Sequence, residues 1–234
     1  MKLIMDTATR TPILALADDE GGIDHERRWQ SEHRHGEQLL ERLDEMLKSA
    51  EATPRDIDAV ICGLGPGSFT GLRIGLATAK VIAYTLSVPI VGVSTTEALG
   101  LAAVARDGLS DAVAVALPAG AVDRYVHRLR IDGESVYSES PPQLVVPGPT
   151  FDAAVGDAFL VAVDMAAASD LADGAVERGE SALEGIARAM ARLGVARLDA
   201  GKHDEVALLT PAYVALPRGI AQAAVDMTWS PDLR

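Results

Sequence analysis

The stretch C-G-L-G-P-G-S-F-T-G-L-R-I-G, residues 62–75, decides the fold of this chain. An apolar run at 59–64 leads into it and predicts a buried strand. Residues 65–68 then predict a loop, and an apolar helical pattern follows from 70 to 86. A strand, a glycine-rich loop and a helix in this order direct several backbone N–H groups at one place, which is typical of a phosphate or other anion site.

The loop matches neither of the two common nucleotide-binding motifs. A Walker motif requires a lysine directly after its last glycine, but Leu72 follows Gly71. The dinucleotide fingerprint G-x-G-x-x-G has two residues before its last glycine, but three residues separate Gly67 from Gly71. Nor does Ser68 stand in the G-x-S-x-G context of a nucleophilic serine. The loop therefore resembles a nucleotide-binding loop but lacks the side chains of nucleotide chemistry.

The helix after the loop offers a second interpretation. Gly71, Gly75 and Ala79 recur every four residues, so they predict a groove of small side chains along one helical face. Leu72 and Leu76 line a neighbouring face. A groove of small residues lets another helix approach closely, and we favour a docking surface here over a phosphate site.

A second polar loop, D-T-A-T at 6–9, lies between two predicted strands. Its aspartate could position water or a metal ion, and its hydroxyl groups could contact phosphate. Asp and Thr also bond to their own backbone in tight turns, so a capped turn is the favoured alternative. If a nucleotide binds, the candidate residues of the two loops are Asp6, Thr7, Thr9, Gly65, Gly67 and Ser68.

Composition and charge exclude several classes of protein. The chain has 234 residues, of which 48% are hydrophobic and 4% aromatic, as in helix-covered sheets. A net charge of −13 argues against direct binding to nucleic acid, because phosphates require a basic surface. The single cysteine, Cys62, excludes an internal disulfide and is expected to be a core residue. The N-terminus is unlike a signal peptide and no apolar run reaches about 18 residues, which predicts a cytoplasmic protein without a membrane span.

The order of predicted elements indicates an α/β fold, with a mixed sheet and helices packed upon it. In the first half we expect strands at 3–5, 12–17, 23–30, 59–64 and 89–93, and helices at 35–50, 70–86 and 94–106. In the less regular second half we expect strands at 112–117, 124–131 and 158–163, and a helix at 180–193 that ends at Gly194. Asp107-Gly108 is the predicted boundary between domains 1–106 and 107–234.

No catalytic or metal-binding residues stand out in the sequence. No two histidines have the i, i+4 spacing of a helical metal clamp. Carboxylates are numerous, but they are spread along predicted solvent-facing surfaces rather than paired for acid–base chemistry. We therefore predict no catalytic residue, no metal and no cofactor.

Several of these motifs together resemble a known family, the bacterial TsaB (YeaZ) proteins. The motifs are D-T-A-T at 6–9, the Leu39-Leu40 pair in the helix that begins at His35, G-P-G-S-F-T-G-L-R-I-G at 65–75 and S-T-T-E-A-L at 94–99. The resemblance is strong over the first hundred residues, and T-P-A-Y-V at 210–214 resembles the family's C-terminal motif. In the second half the chain departs from the family's pattern at 118–125. In the first half, Glu41 stands where the family has a proline after the leucine pair.

The resemblance implies an actin-like, sugar-kinase-like ATPase (ASKHA) fold with two related α/β subdomains, the second reduced. It also implies a non-catalytic partner of TsaD, the metal-containing enzyme that makes threonylcarbamoyladenosine next to the anticodon of tRNAs decoding ANN codons. A further ATPase, TsaE, joins these two proteins. In such a complex this chain would scaffold and activate TsaD, and it would reach tRNA only indirectly. Without TsaD it would form a homodimer.

The interface expected from this resemblance is a bundle of four helices, two from each partner. On this chain it would combine the apolar stripe of the helix at 35–50 with the small-residue groove of the helix at 70–86. The expected interface residues are His35, Leu39, Leu40, Leu43, Gly71, Leu72, Gly75, Leu76 and Ala79. A bulky residue at Gly75 is then expected to abolish pairing while leaving the monomer folded.

Two enzymatic alternatives remain open. A sugar-kinase-like phosphotransferase would use the two polar loops to bind ATP, and turnover of Mg-ATP would identify it. A metalloprotease, an activity once associated with the wider family, would require stoichiometric bound metal. Neither is favoured, because no catalytic aspartate stands in a matching context and the metal-clamp spacing is missing.

Overall fold

The computed structural model describes residues 1–30, 35–107, 112–166 and 171–214. The first sheet has the strand order β3-β2-β1-β4-β5. Strand β1 is antiparallel to β2 and parallel to β4. The strands are β1 (Lys2–Asp6), β2 (Ile13–Ala17), β3 (Ile23–Arg28), β4 (Ala59–Gly63) and β5 (Ile90–Val93). The helices of this half are α1 (His35–Ser49), α2 (Phe69–Leu86) and α3 (Thr95–Asp107).

The second sheet also has five strands and repeats part of the topology of the first. Its order is β10-β6-β7-β8, and β9 also pairs with β7. As in the first sheet, the initial strand is antiparallel to the next one and parallel to a later one. The elements are β6 (Ala112–Ala119), β7 (Asp123–Asp132), β8 (Ser135–Ser138), β9 (Gln143–Val145), α4 (Pro149–Val155), β10 (Phe159–Ala162) and α5 (Ala175–Asp199). No described strand corresponds to β5, which confirms two related α/β subdomains with the second reduced.

The elements stack in layers because the strands alternate apolar side chains between their two faces. Leu3 and Met5 of β1 face α1 and α2, whereas Ile4 between them faces α3 and α5. The second sheet also turns one face toward α3 and α5, so these two helices lie between the sheets. The other face of the second sheet packs against Phe151 of α4.

Helix α5 is longer than the sequence pattern predicts. The predicted helix ends at Gly194, but α5 continues to Asp199. The reason is packing: a Cβ at residue 194 would lie 2.5 Å from Ile61 Cδ1, so the glycine allows α5 to approach the first sheet. Gly194 is therefore a contact point within the helix and not its end.

After α5 the chain returns to the first sheet. Asp204 pairs with Ile90, with its N–H donating to the Ile90 carbonyl at 2.8 Å, and its Oδ2 accepts the N–H of Gly92 at 2.7 Å. Further on, the N–H of Ala212 donates to the Leu64 carbonyl at 2.8 Å. The division at residues 106 and 107 stays a prediction, and Gly108 lies outside the described residues. No helix among the described residues is both long and apolar enough to cross a membrane.

Candidate functional site

The glycine loop lies directly on the turn between β1 and β2. The N–H of Ser68 donates to the carbonyl of Ala8 at 2.7 Å. A Cβ at residue 67 would lie 2.2 Å from that same carbonyl oxygen, so Gly67 is required for this close approach. The two polar loops that the sequence singled out are therefore neighbours, and they bind each other.

Backbone donors of the glycine loop are engaged within the chain. The N–H of Gly65 donates to Thr95 Oγ1 at 3.0 Å. Ser68 caps α2, because its Oγ accepts the N–H of Gly71 at 3.1 Å and its carbonyl accepts the N–H of Leu72 at 2.8 Å. Together with the Ser68 N–H, which donates to the Ala8 carbonyl, four backbone donors of this region have partners within the chain. These four donors are therefore not free to bind a phosphate, and nucleotide binding by these loops stays a prediction.

Asp6 organises the contact between the two loops. Its Oδ1 accepts the N–H of Ala8 at 2.7 Å, and its Oδ2 accepts the hydroxyl of Thr95 at 2.6 Å. The N–H of Thr95 in turn donates to the Gly65 carbonyl at 3.0 Å. Burial raises the pKa of Asp6 to about 6, against the effect of its two hydrogen bonds. The sequence identified Asp6 but missed Thr95, which lies 89 residues away.

The threonines of the turn also make internal hydrogen bonds. Thr7 Oγ1 donates to the carbonyl of Gly71 at 2.7 Å. Thr9 Oγ1 donates to the carbonyl of Thr11 at 3.0 Å and accepts the N–H of Thr11 at 3.3 Å. All three polar side chains of D-T-A-T thus hold the turn and the glycine loop, as the capped-turn alternative expects.

The turn also contacts the second subdomain. The N–H of Arg10 donates to Asp164 Oδ2 at 2.5 Å, and Asp164 follows β10. Burial raises the pKa of Asp164, although the Arg10 contact opposes this. The turn is thus fixed by the glycine loop on one side and by the end of β10 on the other.

The expected open groove on α2 is filled by the chain itself. A Cβ at residue 75 would lie 2.1 Å from Thr7 Oγ1, and a Cβ at residue 71 would lie 2.0 Å from the Thr7 carbonyl oxygen. Ala79 is buried in the core between α2 and the first sheet. The expectation that Gly71, Gly75 and Ala79 accept a helix from a partner is therefore wrong, and so is the expectation that bulk at Gly75 spares the monomer.

Most leucines of the expected interface are also buried. Leu39, Leu43 and Leu76 belong to the core under the first sheet, and Leu72 is likewise buried. Leu40 is exposed over 57% of its surface. His35 begins α1, but its side chain lies outside the described part of the structure. An interface on these helices must therefore use their outer sides.

The outer side of α2 exposes large apolar side chains. Val81 is 64% exposed and Tyr84 is 78% exposed, and Ala77 one turn before Val81 is also exposed. We call Ala77, Val81 and Tyr84, together with Leu40 of α1, the outer helical face. Sequence reasoning missed it because α2 is apolar on both sides, so its periodicity did not indicate which side faces the sheet.

The C-terminal motif lies beside the start of α2. The ring of Tyr213 packs against Phe69 with centroids 5.4 Å apart, and its hydroxyl accepts a hydrogen bond from Arg73 Nε at 3.1 Å. Further along the helix, Lys80 Nζ donates to the carbonyl groups of Ala207 and Leu209 at 3.2 and 3.1 Å. The segment 207–213 therefore follows α2 and borders the outer helical face.

A buried histidine links α3 to the second sheet. His127 Nδ1 lies 2.7 Å from Thr96 Oγ1, and Nε2 lies 2.7 Å from Ser138 Oγ. Burial lowers the pKa of His127 to about 4. This side chain, which the sequence did not single out, is therefore neutral at ordinary pH. In the described ranges, no group of three or more His, Cys, Asp or Glu side chains is placed to hold a metal ion.

Comparison with known proteins places these features in context. The family described as "TsaD: tRNA N6-adenosine threonylcarbamoyltransferase" matches residues 29–169. An uncharacterized protein of Mycobacterium tuberculosis is 42% identical over 66 residues, which are 28% of this chain and 31% of that protein. The TsaB protein of Escherichia coli, named for tRNA threonylcarbamoyladenosine biosynthesis, is 33% identical over 112 residues, or 48% of each chain. The matched regions thus span less than half of these relatives.

A solved structure extends the similarity to almost the whole chain. YeaZ from Pseudomonas aeruginosa has a TM-score of 0.69 and 22% sequence identity, and the match covers 91% of this chain and 98% of that one. At this identity the likeness establishes the fold alone. The chain therefore has the fold of YeaZ, and the expected α/β fold is confirmed.

Proposed function

This chain belongs to the TsaD family, and from that premise we propose that it is a protein of the TsaB (YeaZ) type and a non-catalytic partner subunit of a TsaD-containing complex. The complex would make threonylcarbamoyladenosine next to the anticodon of tRNAs that decode ANN codons. The chain would scaffold and activate TsaD, and TsaE would be the third component.

The outer helical face is the observation on which this proposal rests. Val81 and Tyr84 are exposed over 64% and 78% of their surfaces, on a helix whose opposite side is sealed by Thr7. Large apolar residues of this kind, adjacent on one face, are what a protein–protein contact buries, and a few of them typically supply most of the binding energy. An apolar helical surface on TsaD is the expected counterpart.

The arrangement of the two polar loops supports a non-catalytic role. Internal hydrogen bonds that hold the turn and the glycine loop are made by the side chains of Asp6, Thr7 and Thr9. Ser68 is the cap of α2 and its Oγ accepts from Gly71. In the proposed complex these residues would keep α2 in position for docking and would not act on the substrate.

The charge of the chain supports indirect contact with tRNA. A net charge of −13 repels a polyanion, so TsaD would hold the tRNA. In the absence of TsaD, the outer helical face of one copy would pair with that of another, because the same apolar surface would otherwise remain in water. The homodimer and the complex with TsaD would then exclude each other.

Reconstitution with matched surface variants tests the proposal. Val81 and Val122 are equally exposed, at 64%, but Val122 lies between β6 and β7 in the second subdomain. We expect Val81→Asp to lose pull-down by the cognate TsaD, and to lose tRNA modification in a mixture with TsaD and TsaE. Val122→Asp should retain both. Because both sites are exposed, the melting temperatures of the two variants should stay close to that of the wild type.

Sedimentation gives a second readout of the same surface. Val81→Asp should sediment as a monomer at concentrations where the wild type and Val122→Asp are dimers. Normal pull-down and normal modification with Val81→Asp would contradict the proposed interface. Full modification by TsaD and TsaE without this chain would contradict the proposed role.

A further inference from the structure

A cleft lined by both charged and apolar residues lies on the opposite side of the first sheet from the outer helical face. It has a volume of about 590 Å³ and lies between β3, α3 and α5. Small residues open it: a Cβ at residue 185 of α5 would lie 3.1 Å from Ala102 Cβ of α3, so the helices approach closely and leave space above the contact. Its volume is in the range of small-molecule sites, roughly 300–1,000 Å³.

The charges of the cleft are sorted onto different elements. Asp24 and Glu26, two residues apart on β3, line one side. Arg188 and Arg192, four residues apart on α5, line another side. The pairing of β3 with β2 shifts register at Asp24, and this irregularity lets Asp24 line the cleft together with Glu26. Both bases lie on the same face of the helix.

Some of these charges are already compensated by neighbours. Arg192 Nη2 lies 2.5 Å from Glu134 Oε1, and Arg106 of α3 forms an ion pair with Glu184. Within the described ranges, Arg188 forms no ion pair, and none connects the acids of β3 with the arginines of α5. Among the described residues, Arg188 is thus a cation of the cleft that has no carboxylate partner.

Glu26 is incompletely satisfied on the acidic side. Its Oε1 lies 2.8 Å from Arg28 Nε, but this buried oxygen has no donor in hydrogen-bond geometry. Burial raises the pKa of Glu26, although Arg28 opposes the shift. An ammonium group beside Glu26 would supply the missing donor and add a second positive charge to that of Arg28.

We propose that this cleft binds a small zwitterion of the α-amino-acid type, with its ammonium group toward Asp24 and Glu26 and its carboxylate toward Arg188. The two acids disfavour a simple anion or a polyanion, and the arginines disfavour a simple cation. A ligand with both charges satisfies both sides. This inference does not depend on the proposed role beside TsaD.

Titration of the full chain by calorimetry tests the site. The twenty amino acids are screened, and the best ligand is compared with its amide, which lacks the carboxylate, and with the matching acid, which lacks the ammonium group. We expect saturable binding of at least one amino acid, and at least tenfold weaker binding of both analogues. Arg188→Gln and Asp24→Asn should each weaken binding at least tenfold. Arg55→Gln, an exposed arginine outside the cleft, should not change it.

The outcomes distinguish the site from a general charge effect. Glu26→Gln is a third variant, but it also removes a partner of Arg28, so its melting temperature is measured alongside. Absence of saturable binding for all twenty amino acids up to about 10 mM, ten times a millimolar Kd, would overturn the proposal. Equal binding of the amide or the acid would also overturn it, as would an equal loss in Arg55→Gln.

Discussion

The hydroxyl group of Thr7 occupies the space that a side chain at residue 75 would need. A Cβ built on Gly75 would lie 2.1 Å from Thr7 Oγ1, far inside van der Waals contact. The same hydroxyl donates to the carbonyl of Gly71 at 2.7 Å. The turn after β1 is thus packed and hydrogen-bonded into the small-residue side of α2, which leaves the outer side of this helix for other contacts.

Gly75→Ala should destabilise the monomer. The added methyl group must displace Thr7 and strain the packing around it, so we expect a loss of about 1–3 kcal/mol in the free energy of unfolding, measured by urea denaturation. Thr7→Ala removes the obstacle, so the double variant should lose less than the sum of the two single variants. A Gly75→Ala protein as stable as the wild type would contradict the contact. Ala77→Leu, on the exposed side of α2, is the control.

Asp6→Asn should change how stability depends on pH. The folded-state pKa of Asp6 is raised from 3.8 to about 6, so the folded state binds this proton more tightly than the unfolded state. Its contribution to stability therefore falls by about 3 kcal/mol as pH rises from about 4 to about 6. Asn removes this trend, so the difference in unfolding free energy between variant and wild type should increase with pH over that range. A constant difference would contradict the buried carboxylate.

His127→Gln should reveal a trend of opposite sign. The folded-state pKa of His127 is lowered from 6.5 to about 4, so its contribution is complete above pH 6.5 and is lost as pH falls toward 4. Over this range the free energy of unfolding falls by about 3 kcal/mol. Relative to the wild type, the Gln variant should therefore gain stability as the solution is acidified between these values. The measurement is denaturation at a series of pH values, and an unchanged difference would argue against a neutral buried histidine.

Cys62 should react with thiol reagents only when the protein unfolds. The side chain is buried, and burial together with the nearby carboxylates of Asp6 and Asp204 raises its pKa to about 12. The thiolate is the reactive form, so labelling by a disulfide reagent should be far slower than in urea. Gly75→Ala should label faster than the wild type, because it unfolds more often. Rapid labelling of the native wild type would contradict this burial.

The first subdomain could be predicted from the sequence because its signals are local. The continuous apolar runs of β1 and β4 and the glycine loop before α2 indicate both the element types and their order. The start of α3 could also be predicted from a local rule. Ser94 precedes the helix, and its Oγ accepts the N–H of Glu97 at 3.4 Å. The α/β class and the resemblance both depended on this half.

The rest depended on contacts between distant residues. Gly194 looks like a helix end in sequence, and only the neighbouring Ile61 explains why α5 continues past it. The sequence did not predict strands β8 and β9 or helix α4, because short elements have weak periodicity. The same limit applies to α2, where the small residues seemed suited to a partner until Thr7 was found beside them.

The return of the chain to the edge of β5 affects how the protein is made. The N–H of Gly92 donates to Oδ2 of Asp204, 112 residues later in the sequence. On the ribosome, β5 therefore emerges with an open edge, and such edges readily pair with other chains. Fragments that stop before residue 204 would keep this edge unpaired, so we expect the nascent first sheet to need protection until the last part of the chain has been synthesised.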